Sequence, residues 1–380
     1  MQLNLNSSIL NNFQALGISP GFVKGLTELN IIEPTYIQQN VIPILLAGPT
    51  DIVAQAQTGT GKTAAYGLPL LEKIDPSLGM VQGLILCPTR ELAQQVAKQL
   101  FKFTKYSAKI FTEAVYGGEH IDRQIGALKR PTHIVVATPG RLIDLIKRKA
   151  VDLNGVKSVV LDEADEMLSM GFKKELDEIL SFLPAVESKW LFSATIPNEI
   201  KAIISKHLAE NATRIDVKQE NVVNKNISHQ YMKCDDADKL NALQQFLRAE
   251  PDERGIIFCK TKAATKKLSQ QLIAKNFAAD AIHGDLMQKE RDKVMRAFKN
   301  ESLRLLVATD VAARGIDISD LNFVLHYQLP ESDEYYTHRS GRTARAGKEG
   351  LSLCFANDYE VKTLRNYERS LGIKFKELKR

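Results

Sequence analysis

The chain has 380 residues, 44% hydrophobic and 25% charged with no biased tract, which excludes a disordered or fibrous protein and predicts two or three packed domains. Its net charge of +6 permits an anionic partner without requiring one; residues 1–208 carry 21 Lys/Arg against 20 Asp/Glu, and residues 209–380 carry 30 against 25. The four cysteines, Cys87, Cys234, Cys259 and Cys354, are too scattered for a zinc site, and a chain this long needs no disulfide framework.

Met1–Asn6 has neither a basic segment nor an apolar stretch, so no signal peptide is expected, and no apolar run of about 18 residues exists to cross a membrane. A soluble, cytoplasmic protein is expected. In chain order, buried strands are predicted at 52–54, 84–87, 134–137, 159–161 and 190–192, with helices such as 90–103 and 197–208 between or after them. The pattern resumes with strands at 256–259, 305–308, 323–325 and 351–355. Strands alternating with helices imply an α/β fold of parallel sheets covered by helices on both faces. Between the two series, residues 210–226 are rich in Asn, Asp, Lys and Gln without an apolar face. The reading is therefore a domain at 1–208, a linker at 209–222 and a domain at 223–380.

Directly after the strand at 52–54 comes Ala56-Gln57-Thr58-Gly59-Thr60-Gly61-Lys62-Thr63, then a helical run. Glycines there let backbone N–H groups curl around phosphate oxygens, and the helix N-terminus adds positive potential. Lys62 is expected to reach the β- and γ-phosphates and Thr63 to ligate Mg²⁺. The strand before it and the helix after it disfavour a mere Gly/Thr-rich turn. The strand at 159–161 delivers Asp162-Glu163, an arrangement in which Asp162 can hold Mg²⁺ through water while Glu163 orients and deprotonates an attacking water. Alone, the two acids would read as a helix cap; beside the phosphate loop, hydrolysis is the better reading.

These residues open an ordered series. It comprises Pro34–Gln38, Ala56–Thr63, Pro88-Thr89-Arg90-Glu91-Leu92-Ala93, Gly117-Gly118, Thr138-Pro139-Gly140-Arg141, Asp162-Glu163-Ala164-Asp165 and Ser193-Ala194-Thr195. It continues with Ile256–Thr261, His283-Gly284-Asp285, Gln288 with Arg291, Ala308-Thr309-Asp310 through Arg314-Gly315-Ile316-Asp317, and His338-Arg339-Ser340-Gly341-Arg342-Thr343-Ala344-Arg345. Across residues 13–347 the chain resembles the DEAD-box RNA helicases of helicase superfamily two.

The resemblance implies two tandem RecA-like domains, each a parallel sheet flanked by helices, that close around ATP with Mg²⁺ and grip RNA. It assigns Gln38 to the adenine edge and Phe13 to stacking on the adenine, although Phe13 fits a core position beside Leu10 and Leu16 equally well. Asn30 stands where the family more often has Gly. Arg342 and Arg345 are implied as arginine fingers that on a helix would share a face, against the reading of Arg339, Arg342 and Arg345 as a solvated basic face. Asp317, with Gly315, is assigned to the nucleotide's ribose side, and Ser340 and Ala344 depart from the commoner Ile or Val and Gly. Asp165, Ser193, Ala194, Thr195 and His338 are implied as coupling elements, while Ser193 and Thr195 also suit a helix N-cap.

For RNA the resemblance points to Pro88, Thr89, Arg90, Gly117, Gly118, Thr138, Pro139, Gly140 and Arg141, and in the second domain to Gln288, Arg291, Thr309, Asp310 and Arg314. Groups of this kind suit phosphate oxygens and carry little base information, so sequence-independent binding is expected. The reading is a monomeric ATP-dependent RNA helicase acting on single strands and short duplexes, compatible with protein activators and with no membrane partner. A slow-hydrolysing RNA clamp and a DNA translocase are the alternatives. Larger relatives carry basic tails, and a minimal enzyme and a truncated one are both compatible with a chain ending at Lys379-Arg380.

Overall fold

The computed structural model describes residues 12–57, 59–216, 226–313, 321–344 and 348–378. The chain forms two compact units, Met1–Lys218 and Gln219–Arg380. The first is built on β1 (Ile52–Gln55), β2 (Gly83–Leu86), β3 (Thr112–Val115), β4 (Ile134–Ala137), β5 (Ser158–Leu161), β6 (Ser188–Ser193) and β7 (Thr213–Asp216). They lie in the order β3-β4-β2-β5-β6-β1-β7. The second is built on β8 (Ile227–Lys233), β9 (Gly255–Phe258), β10 (Ala279–Ile282), β11 (Leu305–Ala308), β12 (Phe323–His326), β13 (Gly350–Ala356) and β14 (Lys376–Glu377), in the order β10-β11-β9-β12-β13-β8-β14. All pairings of the named strands are parallel.

Strand periodicity explains why helices cover both faces. Ile52, Ala54, Ile85, Ile134 and Val136 join one apolar cluster, while Val53, Leu84, Leu86, Val135 and Ala137 join another on the opposite face. The second sheet repeats this, with Ile257, Leu305 and Val307 on one side and Ile256, Leu306 and Ala308 on the other. With both faces buried, the strands read as continuous apolar runs. At the start of β9 a Cβ on Gly255 would overlap the Phe323 ring, so the close approach of β9 to β12 requires glycine.

Local signals set the helix boundaries. Thr89 caps the helix Arg90–Phe103 by accepting from Leu92 N at 3.3 Å. The helix expected at 197–208 spans Asn198–His207. Asn357 caps Asp358–Leu371, and Gly372 closes that helix at φ 67°. The four cysteines are buried and free. Among the described residues no helix is long and apolar enough to cross a membrane.

Five strands lie outside the apolar runs picked out in the sequence: β3, β7, β8, β10 and β14. Four of them are sheet edges, where one side has no strand partner and polar residues are tolerated. β7 falls inside the segment 209–222 expected as a linker; it pairs with β1, from Ile52 against Thr213 to Gln55 against Asp216, and buries Ile215. The first sheet therefore continues past residue 208, and the compact units divide between Lys218 and Gln219.

Candidate functional site

The registers of β1, β2, β4, β5 and β6 bring their carboxyl ends to one edge: Gln55 pairs Ser193, Leu161 pairs Leu191, and Leu86 pairs both Leu161 and Ala137. Phosphate loop, Asp162-Glu163, Ser193–Thr195, Pro88–Arg90 and Thr138–Arg141 all leave the sheet there. Open parallel sheets bind ligands at this edge.

The phosphate loop is held from three sides. Ala56 N donates to Ser193 O at 2.9 Å, and Thr60 Oγ1 donates to Gln57 O at 2.8 Å. Gly59 and Gly61 take φ 83° and 91°, and Gly61 leads into the helix Lys62–Glu72. Gln38 is 2% exposed; its Nε2 donates to Gly61 O at 3.1 Å and its Oε1 accepts from Thr35 N at 2.8 Å. Thr35 Oγ1 donates to Thr60 O at 2.8 Å. A Cβ on Gly61 would collide with Gln38 Nε2, so this contact needs glycine as much as glutamine. Thr58 lies outside the described residues. Phe13 is 1% exposed and belongs to the core cluster.

Asp162 continues the sheet, its N donating to Leu86 O at 2.9 Å, and is 3% exposed. Its Oδ2 accepts from Tyr66 Oη at 2.8 Å, whereas Oδ1 is buried without a partner. Burial raises the Asp162 pKa, and the Lys62 charge and the Tyr66 hydroxyl act against that rise. Lys62, 6% exposed, likewise has a buried Nζ with no hydrogen-bond partner. Two opposite charges kept from water and left open toward a ligand are costly unless something completes them. A metal-bound polyphosphate fits that requirement. Glu163 sits at φ 51°, ψ 53°, a left-handed backbone costing about 1–3 kcal/mol at a non-glycine residue, as it turns from β5 into the helix Ala164–Ser169.

Asp165 binds the Ser193–Thr195 segment directly. Its Oδ2 accepts from Thr195 N at 2.8 Å and Thr195 Oγ1 at 3.0 Å, and its N donates to Ser193 Oγ at 3.2 Å. Ser193 Oγ donates to Thr195 O at 2.7 Å, and Gln55 Nε2 donates to Ala194 O at 3.1 Å. Neither hydroxyl caps the helix that follows; Pro197 occupies its N-cap position. The ends of β1, β5 and β6 are thus tied into one polar unit.

Toward β3 the edge carries the expected RNA groups. Gly117, Gly118 and Gly140 are exposed, while Pro88, Thr89, Thr138 and Pro139 are buried. Arg141 joins two of the motifs, with Nη1 donating to Gln124 Oε1 at 2.8 Å and Nη2 to Glu119 O at 3.0 Å. Gln124, which drew no attention in the sequence, also donates to Tyr116 O at 3.1 Å. Arg90 pairs with Glu91 at 3.1 Å.

In the second unit Arg339 is the organising cation. It is 2% exposed and binds Asp310 through two contacts, Nε–Oδ1 at 2.5 Å and Nη2–Oδ2 at 2.7 Å, with Nη1 donating to Gln328 O at 2.8 Å. Its guanidinium also lies over the Phe258 ring, 4.9 Å from the centroid. The reading of Arg339 as part of a solvated basic face is therefore overturned. The helix Asp333–Ser340 ends before Arg342, which lies in the following turn. Arg345, Arg314, Gly315 and Asp317 lie outside the described residues. Arg291 is buried, its Nη2 donating to Ala312 O at 2.7 Å; Thr309 Oγ1 accepts from Ala312 N at 3.3 Å, and Gln288 Nε2 donates to Asp292 at 2.6 Å. His338 is half-buried on that helix. Beneath it, Ser352 Oγ meets Ser340 Oγ at 2.9 Å and both Tyr336 Oη and His326 Nε2 at 3.0 Å, and Tyr336 Oη meets His229 Nδ1 at 2.6 Å.

The fold and this edge define a two-unit RecA-like nucleotide hydrolase. Residues 35–203 match the DEAD/DEAH box helicase family and residues 238–347 the helicase conserved C-terminal domain. The DEAD-box ATP-dependent RNA helicase CshA of Bacillus cereus is 44% identical over 361 residues, 95% of this chain and 68% of that protein. The CshA of Geobacillus kaustophilus is 41% identical over 370 residues, 97% of this chain and 79% of that protein. Among solved structures, S. cerevisiae Dbp5 bound to RNA and ADP BeF3 has a TM-score of 0.89 at 31% identity, covering 97% of this chain and 95% of that one. Mss116p bound to ssRNA and AMP-PNP has a TM-score of 0.86 at 28% identity, covering 97% and 79%. The chain belongs to the DEAD-box ATP-dependent RNA helicase family. It is an ATP-dependent RNA helicase and an RNA-stimulated ATPase, and the DNA-translocase reading falls away.

Proposed function

We propose that ATP binds at Ala56–Thr63 with Gln38 on the adenine side, and that hydrolysis there drives local separation of short RNA duplexes without base specificity. The observation that carries this reading is the pair of buried, unpartnered groups Lys62 Nζ and Asp162 Oδ1 beside the phosphate loop. Lys62 balances β- and γ-phosphate charge, and Glu163 takes the proton of the attacking water. Thr63 and Asp162 would hold Mg²⁺, whose chemistry is to neutralise phosphate charge. Arg342 and Arg345 of the second unit supply positive charge to the transferring phosphoryl group. Gly315 and Asp317 serve the ribose side.

Asp165, bonded to the Ser193 hydroxyl and to Thr195, relays the state of the nucleotide loop to the edge where Arg90, Gly117, Gly118, Gly140 and Arg141 meet the RNA backbone. Gln288, Thr309, Asp310 and Arg314 serve the same backbone in the second unit. His338 acts with Asp165 in coupling. A monomer working in the cytoplasm is the simplest setting for this cycle, and a protein activator is compatible with it.

The test pairs two assays on one preparation. Glu163→Gln should abolish RNA-stimulated ATP hydrolysis while ATP-dependent RNA binding persists. The unaltered chain should release a strand from a short duplex only with ATP. Equal stimulation by single-stranded DNA and RNA would sink the RNA assignment, and hydrolysis without strand release would make the protein a clamp.

A further inference from the structure

One buried side chain at the phosphate loop belongs to none of the roles above. Tyr66 lies four residues after Lys62 on the helix Lys62–Glu72, so the two share a helix face. It is 0% exposed, and its hydroxyl donates to Asp162 Oδ2 at 2.8 Å. The Tyr66 ring is fixed independently against Phe192 of β6, with centroids 5.1 Å apart and planes at 56°. β6 is hydrogen-bonded to β5, which carries Asp162 at its end.

A carboxylate at a strand end turns readily about its last torsion, a broad and roughly two-fold one that exchanges its oxygens. Here Oδ2 is taken by the tyrosine and Oδ1 is left buried and open. Lys62 Nζ, one helical turn before Tyr66, is open in the same way. The phenol carries no positive charge, so it fixes the direction of the carboxyl group without neutralising it as a lysine or arginine would.

We propose that Tyr66 is a positioning residue for the metal–nucleotide complex, its hydroxyl holding Asp162 through Oδ2 so that Oδ1 alone is offered to the cation. This rests on the reading that Asp162 faces Mg²⁺ held with ATP. Hydrogen-bond partners behind a metal ligand typically contribute about 10–100-fold in metal affinity or activity. The hydroxyl, and not the ring, carries the effect.

Tyr66→Phe separates the two, because phenylalanine refills the core and removes only the donor. The readout is equilibrium binding of a fluorescent ADP without RNA, titrated with Mg²⁺ from chelator to excess, with turnover measured alongside. Tyr66→Phe should raise the Mg²⁺ midpoint about tenfold, leave ADP affinity in chelator unchanged, and recover most of its turnover in excess Mg²⁺. Asp162→Asn should raise the midpoint as well, and adding Tyr66→Phe to it should change nothing further. A normal midpoint in Tyr66→Phe with a shifted one in Asp162→Asn would overturn the tyrosine's role and leave the Asp162 reading standing. A normal midpoint in Asp162→Asn would remove both. An additional loss in the double variant, or failure of Tyr66→Phe to fold at 25 °C, would also overturn the proposal, since each assigns the hydroxyl to the core rather than to Asp162.

Discussion

Lys62, at a helix N-terminus, and Arg339, in the last turn of a helix, are both nearly inaccessible cations, yet they are held in opposite ways. Every nitrogen of the Arg339 guanidinium has a partner: Asp310 through two of them and the Gln328 carbonyl through the third. Lys62 Nζ has none, and the nearby Asp162 carboxylate keeps one oxygen equally bare. A closed set of hydrogen bonds stabilises the unit that contains it. An open set stores a cost that only an incoming group relieves. Arg339 therefore reads as architecture for the helix Asp333–Ser340, and Lys62 as a receptor.

The comparison breaks most visibly at Arg339. Replacing it with methionine leaves Asp310 and the Gln328 carbonyl without their donor, and should cost the second unit about 3–5 kcal/mol. Arg339→Lys should recover little, because an ammonium cannot make the two parallel contacts to one carboxylate. Denaturant unfolding followed by Trp190 would report only the first unit, so circular dichroism or a probe placed in the second is the measurement to use.

Acid should act next most strongly, and on the same unit. Burial pushes His229 down to about 4 and His326 well below the usual range, so both are neutral in the fold. The unfolded chain takes up a proton on each near pH 6.5, which the folded chain refuses at His229 until about pH 4. Stability therefore falls as pH drops through that window and is fully present above it. His229 alone accounts for about 3 kcal/mol of this. Urea midpoints at pH 7 and 4.5 should show the loss, and His229→Gln should flatten it.

How much of this was legible in the sequence divides along the same physical line. Strands with both faces buried, such as Ile134–Ala137 and Leu305–Ala308, announce themselves as unbroken apolar runs. Edge strands such as Thr213–Asp216 bury one side chain in four and look like a polar linker. The phosphate loop and Asp162-Glu163 are legible because their chemistry needs those residue types in a fixed local order. Tyr66–Asp162, Arg141–Gln124 and Arg339–Asp310 are not, because their partners are brought together by sheet order across 17 to 96 positions. Arg339 and Arg342 look alike in one dimension; only the end of the helix at Ser340 separates a buried strut from a cation in a turn.

Lys62→Met sharpens the contrast from the other side. Methionine fills similar volume and removes a buried ammonium that makes no hydrogen bond, at the loss of its attraction to Asp162; the two effects offset, and the nucleotide-free chain should change by less than about 1 kcal/mol. ADP or ATP binding should collapse in the same protein. A melt with and without nucleotide reads both at once. Destabilisation of the free protein would mean that Lys62 is structural, like Arg339.

The smallest effect is expected at Ser340, which stands where the family more often has Ile or Val. Its hydroxyl contacts Ser352 Oγ at 2.9 Å in a fully buried setting, and removing such a bond ordinarily costs about 1 kcal/mol. Ser352 keeps Tyr336 and His326 as partners, however, and a hydroxyl that donates one hydrogen bond and accepts another is satisfied. Valine also buries two methyl groups in place of the hydroxyl. Ser340→Val should therefore shift the unfolding midpoint by less than about 1 kcal/mol and leave ATP turnover intact. Ser352→Val removes the shared partner of three groups and should cost more than Ser340→Val; equal losses would show that the Ser340 contact, not the hub, fixes the helix that leads into Arg342.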